Sequence, residues 1–302
     1  MAAIRHDAGV CVKCGLCAMA CPRGILQQDE KGTCPKIVDT IVEHCLLCGQ
    51  CVAICPQGGI SHSHFPEGTV TPIRSEYLPE YDQVLELIRS RRAKRSFKDR
   101  PVEREVIEKV LDAARFGPSG HNHQTTEFVV IQDKEIIHEI GALTARGLEK
   151  MVMPFRNKVS RTAMGFVVGR REAEAIAEFA PELVGLASMF DNGKDWILRE
   201  APVLVLFCAD RVNGFSSENA NIQVQNATLA AETLGLGGFY TGFVVMASSR
   251  DDSIAQLVGL PETHKIYGAL ALGYPRLRFK KWPERDPAKV TWVGDGAMAS
   301  GG

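Results

Sequence analysis

The stretches CVKCGLCAMACP (residues 11–22) and CLLCGQCVAICP (residues 45–56) carry one spacing twice: Cys11-x2-Cys14-x2-Cys17-x3-Cys21-Pro22, then Cys45-x2-Cys48-x2-Cys51-x3-Cys55-Pro56. Three thiolates a few residues apart can wrap three corners of an iron-sulfur cube, while a fourth, followed by proline, reaches across to a neighbouring cube. The spacing therefore assigns Cys11, Cys14, Cys17 and Cys55 to one [4Fe-4S] cluster, and Cys45, Cys48, Cys51 and Cys21 to a second. Gly15 and Gly49 each follow the second cysteine of a run and suit the tight backbone that lets amides approach cluster sulfurs. Zinc also takes four thiolates from paired CxxC units, but a tetrahedral site needs neither a third cysteine in each run nor the Cys-Pro ending.

Around these runs the chain is ordinary. Its 302 residues set a prior of about two domains, and 35 basic against 36 acidic residues leave a net charge of −1, so bulk electrostatics argue for neither nucleic acid nor an acidic membrane surface. Nine of the ten cysteines fall in the first 55 residues. The start of the chain leaves no room for the apolar core of a secretory signal. The longest strongly apolar stretch, Ala201 to Ala209, is far short of the roughly 20 residues that span a bilayer. A cytoplasmic location follows as the expectation, where thiols stay reduced and disulfides are rare. Residues 4 to 62 resemble a bacterial-type two-cluster ferredoxin domain, and the expected organisation is that domain over 1–65, a linker over 66–79 and a larger domain over 80–302. Cys34 and Cys208 read as small buried hydrophobes. His62-Ser63-His64 reads as the solvated start of the linker, which carries Pro66, Pro72 and Pro79.

From Tyr81 the pattern changes. Tyr81, Val84, Leu85 and Ile88 lie on one face of a helix; Val106, Ile107, Val110, Leu111 and Ala114 mark a second, ending at Gly117-Pro118. Thr126–Gln132, Val203–Cys208, Phe239–Met246 and Ile266–Leu272 read as buried strands. Asn219–Leu234 reads as a helix rich in small residues (Ala220, Ala227, Ala230, Ala231), and Glu172–Glu178 as part of another. Helices interleaved with strands predict an α/β or α+β layered domain.

The run from Arg89 to Arg100 holds seven cations against one acid. Charge alone favours a solvated helix end; the alternative is an anion site, because guanidinium forks bind phosphate bidentately. The second basic stretch, Arg276 to Arg285, could close on the same anion. Neither stretch interleaves aromatics regularly, which argues against nucleic acid.

Four motifs in order resemble the nitroreductase family over residues 80 to 290: Arg91-Arg92-Ala93-Lys94-Arg95-Ser96-Phe97; Gly117-Pro118-Ser119-Gly120-His121-Asn122-His123-Gln124; Gln225-Asn226 to Gly237; and Gly273-Tyr274-Pro275. The resemblance implies an α+β fold, a ferredoxin domain followed by an α-β-α layered domain, built as FMN-dependent homodimers with a flavin in each of two clefts at the subunit interface. It implies that Arg91 and Arg92 contact the FMN phosphate and ribityl chain, with Ala93 beside them. It places Arg95 near the pyrimidine edge, where a fixed cation stabilises the negative charge of reduced flavin. Pro118, Ser119, Gly120 and Asn122 match the loop lining the flavin, Thr241 and Gly242 the backbone near N5, and Lys281 and Arg285 are candidates for closing on the phosphate. The chain departs from the family at Ala93, where serine is usual, and at Thr125-Thr126, where Pro-Trp is usual. His121 and His123 are candidate proton donors, with two loop imidazoles beside the cleft as the plainer reading.

The resemblance implies a fused flavoenzyme of a definite kind. Electrons would enter singly through two clusters, collect on FMN and leave as a hydride equivalent to a nitro compound, quinone or activated alkene. A ferredoxin-like protein or NAD(P)H would be the donor. Two rivals stay open: a dehydrogenase that sends electrons out through the clusters, and an electron-transfer module serving a protein partner. No GxGxxG follows a strand, so a built-in dinucleotide fold is not expected.

Overall fold

The computed structural model describes residues 3–294. Residues 1–2 and 295–302, the ends of the expected 1–65 and 80–302 domains, lie outside the described residues. The N-terminal part is made of short elements: β1 (Ile4–His6), α1 (Leu16–Ala20), β2 (Leu26–Gln27), β3 (Lys36–Ile37), α2 (Gln50–Ala53) and β4 (Ile60–His62). β1 pairs antiparallel with β4, Ile4 opposite His62 and His6 opposite Ile60, while β2 pairs with β3. The sequence repeat is also a conformational repeat. Lys13 and Leu47 are left-handed at φ 57° and 50°, and Gly15 and Gly49 at 76° and 69°. Glycine adopts that region freely, whereas an L side chain there costs about 1–2 kcal/mol. Each glycine opens the helix, α1 or α2, that carries the third cysteine of its run.

The larger part follows as α3 (Tyr81–Ser90), α4 (Arg104–Arg115), β5 (Glu127–Ile131), α5 (Lys134–Val152), α6 (Lys158–Val168), α7 (Arg170–Asp191), β6 (Val203–Asp210), α8 (Ser216–Thr233), β7 (Gly237–Tyr240), α9 (Gly242–Ser248), α10 (Ser253–Leu257) and β8 (His264–Gly273). Its sheet runs β5-β6-β8-β7 with every neighbour antiparallel. β6 is apolar almost throughout because both of its faces are covered. Leu204, Leu206 and Cys208 join Ile137, Ile140, Val244 and Ile254 on one side. Val203, Val205 and Phe207 join Val110, Ala114, Val224 and Ala227 on the other. This is the expected α-β-α layering, with about 44% helix and 14% strand.

Two expectations are corrected. Phe239–Met246 is not one strand: β7 ends at Tyr240 and Phe243 to Met246 belong to α9, because a short apolar run buried on several sides carries no periodicity that separates strand from helix. His62 is not a solvated linker residue; it closes β4 and is 4% exposed, whereas Ser63 and His64 are exposed. The small residues Ala220, Ala227 and Ala231 of α8 are, as their size suits, buried in the core against α4.

Candidate functional site

The eight run cysteines separate into two recesses. One is lined by Cys11, Cys14, Cys17 and Cys55, with His6 and Ile60. The other is lined by Cys21, Cys45, Cys48 and Cys51, with Ile4 and His62. The fourth cysteine of each run thus sits with the other run. The thiol chemistry repeats this partition. Burial, then the neighbouring Cys21, pushes the Cys51 thiol up to about 11; burial also raises Cys17, with Cys55 and Cys14 adding to it. Crowded, desolvated thiols resist ionising together, and a cationic metal centre reverses that cost, so the donor set fits a [4Fe-4S] group. Backbone amides already point at the sulfurs: Lys13 N–H to Cys11 Sγ at 3.3 Å, Ile25 N–H to Cys21 Sγ at 3.3 Å and Gly59 N–H to Cys55 Sγ at 3.2 Å. The last two donors each lie four residues beyond their cysteine.

His6 and His62 line the recesses and Cys34 lies beside Cys11, none of them marked by the ligand spacing. His62 Nε2 is 3.5 Å from Cys45 Sγ. His6, Cys11 and Cys34 bring their ligand atoms within 4.8 Å of one another. Cys34 is half-buried against Cys11, its thiol raised by desolvation and then by a hydrogen bond with Cys11. Cys208 lies on β6, where burial pushes its thiol to about 12.

In the larger part, the basic run lies along β7. Ala93 bridges Gly238 in parallel, Lys94 N–H donates to Gly238 O at 3.0 Å, and Lys94 pairs with Glu232. This carries Arg91, Arg92 and Arg95 beside the strand that leads to Thr241 and Gly242. The Arg95 guanidinium sits 5.5 Å from the Phe239 ring centroid. Thr241 is 2% exposed, yet its hydroxyl has no hydrogen-bond partner. An orphaned buried hydroxyl at the turn into α9 is what a missing polar ligand would leave, so these residues fit a flavin. Trp282 stacks on Arg89 at 4.4 Å and donates to Glu86 at 3.2 Å, which lays the segment containing Lys281 against α3. Arg285 is exposed, and its backbone N–H bonds only the adjacent Glu284.

The Pro118–Gln124 loop is held elsewhere. Gly120 N–H donates to Asn219 Oδ1 at 3.0 Å, and a Cβ at Gly120 would lie 2.7 Å from the Phe215 ring. Ser119 Oγ accepts from Gln124 N–H at 3.1 Å. His121, Asn122 and Gln124 are all left-handed, at φ 52°, 56° and 49°. His121 and His123 are exposed, their rings 5.5 Å apart. The Asn122 amide donates to Leu46 O at 3.1 Å and Leu47 O at 2.9 Å. Leu46 and Leu47 are the two residues between Cys45 and Cys48, so the loop meets the backbone of the second cysteine run. No hydrogen bond among the described residues joins this loop to Arg91–Arg95 or to Thr241.

Comparison with known proteins matches the "Nitroreductase family" model to residues 88–274 and a "4Fe-4S dicluster domain" model to residues 10–59. The chain belongs to the nitroreductase family. It is an oxidoreductase of that family with an N-terminal 4Fe-4S domain. A relative from Methanothermobacter thermautotrophicus, described as an NADH dehydrogenase/NAD(P)H nitroreductase, is 29% identical over 64% of this chain and 77% of its own. "FMN reductase [NAD(P)H]" of Bacillus subtilis is 26% identical over 67% and 70%. In fold, the chain is similar to an FMN-bound nitroreductase from Bacteroides fragilis, with a TM-score of 0.53 and 20% identity over 70% of this chain and 99% of that one. No helix of the described residues is long and apolar enough to cross a membrane.

Proposed function

We propose that this member of the nitroreductase family is an FMN-dependent oxidoreductase whose flavin exchanges electrons with two [4Fe-4S] clusters and reduces a small electrophilic substrate. The observation that carries this reading is the contact of Asn122 with Leu46 and Leu47. It presses the cysteine run 45–55 onto the loop that the family resemblance assigns to the flavin. Bound FMN would supply the conversion between single electrons, which clusters exchange, and electron pairs, which a substrate takes. The chain's residues have plainer tasks. Arg91, Arg92 and Lys281 would hold the phosphate and ribityl end, and Arg95 would keep positive charge near the reduced ring. Thr241 would hydrogen-bond the flavin near Gly242. Among the described residues no hydrogen bond joins the loop to the basic run within one chain. A homodimer would let the loop of one subunit and the basic run of its partner complete each cleft. The domain division 1–65, 66–79 and 80–302, a cytoplasmic location and a ferredoxin-like donor complete the reading.

Anaerobically purified enzyme, assayed for iron, sulfide and flavin, should hold two clusters and one FMN per chain. Reduced ferredoxin should then reduce the flavin in wild type and not in Cys48→Ser. The entry route is wrong if NAD(P)H alone reduces the flavin quickly and loss of Cys48 leaves turnover unchanged.

A further inference from the structure

The strands that bracket the cysteine runs carry one pattern, Ile-x-His, twice: Ile4-Arg5-His6 and Ile60-Ser61-His62. Their antiparallel register sets Ile4 opposite His62 and Ile60 opposite His6. Residues two apart on a strand share a face, and so do residues directly opposed across a pair. All four side chains therefore fall on one face. That face meets the cysteines, so each recess receives one histidine and one isoleucine: His62 and Ile4 with Cys21, Cys45, Cys48 and Cys51, and His6 and Ile60 with Cys11, Cys14, Cys17 and Cys55.

The proton on His62 is placed by its neighbours. The His64 backbone N–H donates to His62 Nδ1 at 3.0 Å. A ring nitrogen that accepts carries no hydrogen, so in the neutral imidazole the N–H is on Nε2, and Nε2 is 3.5 Å from Cys45 Sγ. His6 offers the complementary observation. Its Nε2 is buried without a hydrogen-bond partner, and a ring nitrogen of His6 lies within 4.8 Å of Cys11 Sγ. A buried polar group left unpaired costs about 1–3 kcal/mol, and the Cys11 sulfur is an acceptor close to this ring.

We propose that His6 and His62 are cluster-tuning hydrogen-bond donors, His6 to the sulfurs of the Cys11 cluster and His62 to those of the Cys45 cluster, each raising the reduction potential of its own cluster. The proposal rests on the reading that each cysteine set holds one cluster. An N–H directed at a thiolate or sulfide stabilises the reduced, more negative state of a cluster more than its oxidised state. Neither histidine displaces a cysteine ligand. His62 acts on the cluster whose Leu46–Leu47 backbone meets the Asn122 loop, and His6 on the other, so the paired strands set the two potentials separately.

The test uses holoenzyme prepared anaerobically as wild type, His6→Phe, His62→Phe and His62→Gln. Phenylalanine fills the ring's space without a donor, and glutamine keeps an N–H. Iron and sulfide are counted first, and a redox titration followed by electron paramagnetic resonance then resolves the two clusters. His62→Phe should lower one potential and His6→Phe the other, with His62→Gln between wild type and His62→Phe. The reduced wild type, labelled with 15N-histidine, should show an imidazole coupling at each cluster by pulsed resonance, a reading independent of how the variants fold. Unmoved potentials at full iron content, one cluster responding to both substitutions, or no imidazole coupling would each overturn the proposal. Wild-type protein with iron for fewer than two clusters would instead overturn the reading on which it rests.

Discussion

Replacing Asn122 with aspartate should slow electron transfer between the clusters and the flavin while leaving the eight cysteine ligands in place. The Asn122 amide donates both of its hydrogens, at 3.1 Å to Leu46 O and 2.9 Å to Leu47 O. Each bond contributes a net of about 0.5–1.5 kcal/mol, so losing both removes about 1–3 kcal/mol of docking energy. At about 1.4 kcal/mol per decade, the docked population falls by a factor of roughly 5 to 150 relative to undocked. A carboxylate has the same shape but only acceptors, so it also sets negative charge against two carbonyl oxygens. Aspartate is the informative replacement for a further reason. Residue 122 sits at φ 56°, a region asparagine and aspartate tolerate, whereas alanine there adds about 1–2 kcal/mol of strain to the loop. The assay is anaerobic rapid mixing of holoenzyme with a one-electron reductant, following cluster and flavin absorbance separately. Cluster reduction should keep its wild-type rate while flavin reduction slows, by up to that same factor of roughly 5 to 150. The effect should lessen in acid, because a protonated carboxyl regains one donor. Wild-type flavin reduction in Asn122→Asp, at full iron and flavin content, would refute the assignment of this contact as the junction.

Three other outcomes follow from the larger part of the chain. Glu103 is held down to about 2, first by the Tyr274 hydroxyl and then by Arg100. This stabilisation is full above its ordinary value of 4.5 and is lost as pH falls toward 2, so the stability gap between wild type and Tyr274→Phe should be present at pH 6 and close across that acid window in denaturation curves. At Gly238 a Cβ would lie 2.6 Å from the Ala271 carbonyl oxygen, which the ladder holds in place. Gly238→Ala should therefore cost about 1–3 kcal/mol or more and lower the melting temperature by about 2–4 °C per kcal/mol. Cys208, buried and raised to about 12, should resist alkylation at pH 8 until the protein unfolds, as peptide mass spectrometry would record.

What the sequence made legible was local chemistry. The partition of eight cysteines into crossed sets follows from ligand spacing, and the recesses reproduce it because the repeated left-handed turns at Lys13, Gly15, Leu47 and Gly49 bend both runs the same way. β6 was legible because a strand covered on both faces is apolar throughout. Features made by distant pairing were not legible. His62 looked like linker because a three-residue strand is too short to show alternation, and its partner Ile4 lies at the far end of the segment. The contact of Asn122 with Leu46 and Leu47 joins backbone carbonyls to a side chain far along the chain, which no motif encodes. Phe239–Met246 hid its break because Thr241 interrupts the apolar run without a proline to mark the start of α9.

The crossed cysteine sets also bear on how the N-terminal part folds. Its hydrophobic core consists of Cys17, Leu26 and Ile60 with a few half-buried neighbours, three of the latter being the ligand candidates Cys21, Cys51 and Cys55. Segments of this size seldom hold a fold on apolar burial alone and use metal or disulfide links instead. If the recesses hold clusters, metal binding supplies much of the folding energy. Because Cys21 lines the recess of the later run and Cys55 that of the earlier, each centre fastens both runs, and losing one loosens the other. Anaerobic removal of iron should therefore abolish amide protection in β1 and β4 together, while β6 and β8, with their own two-sided core, keep theirs. Cys21→Ser should likewise deplete the cluster of the Cys45 run and expose β4 to exchange, although residue 21 belongs to the other run. Hydrogen exchange read by mass spectrometry distinguishes the cases. Protected β1 and β4 amides in iron-free protein would show that the short strands and the small core fold without metal, and the cooperative account would fail.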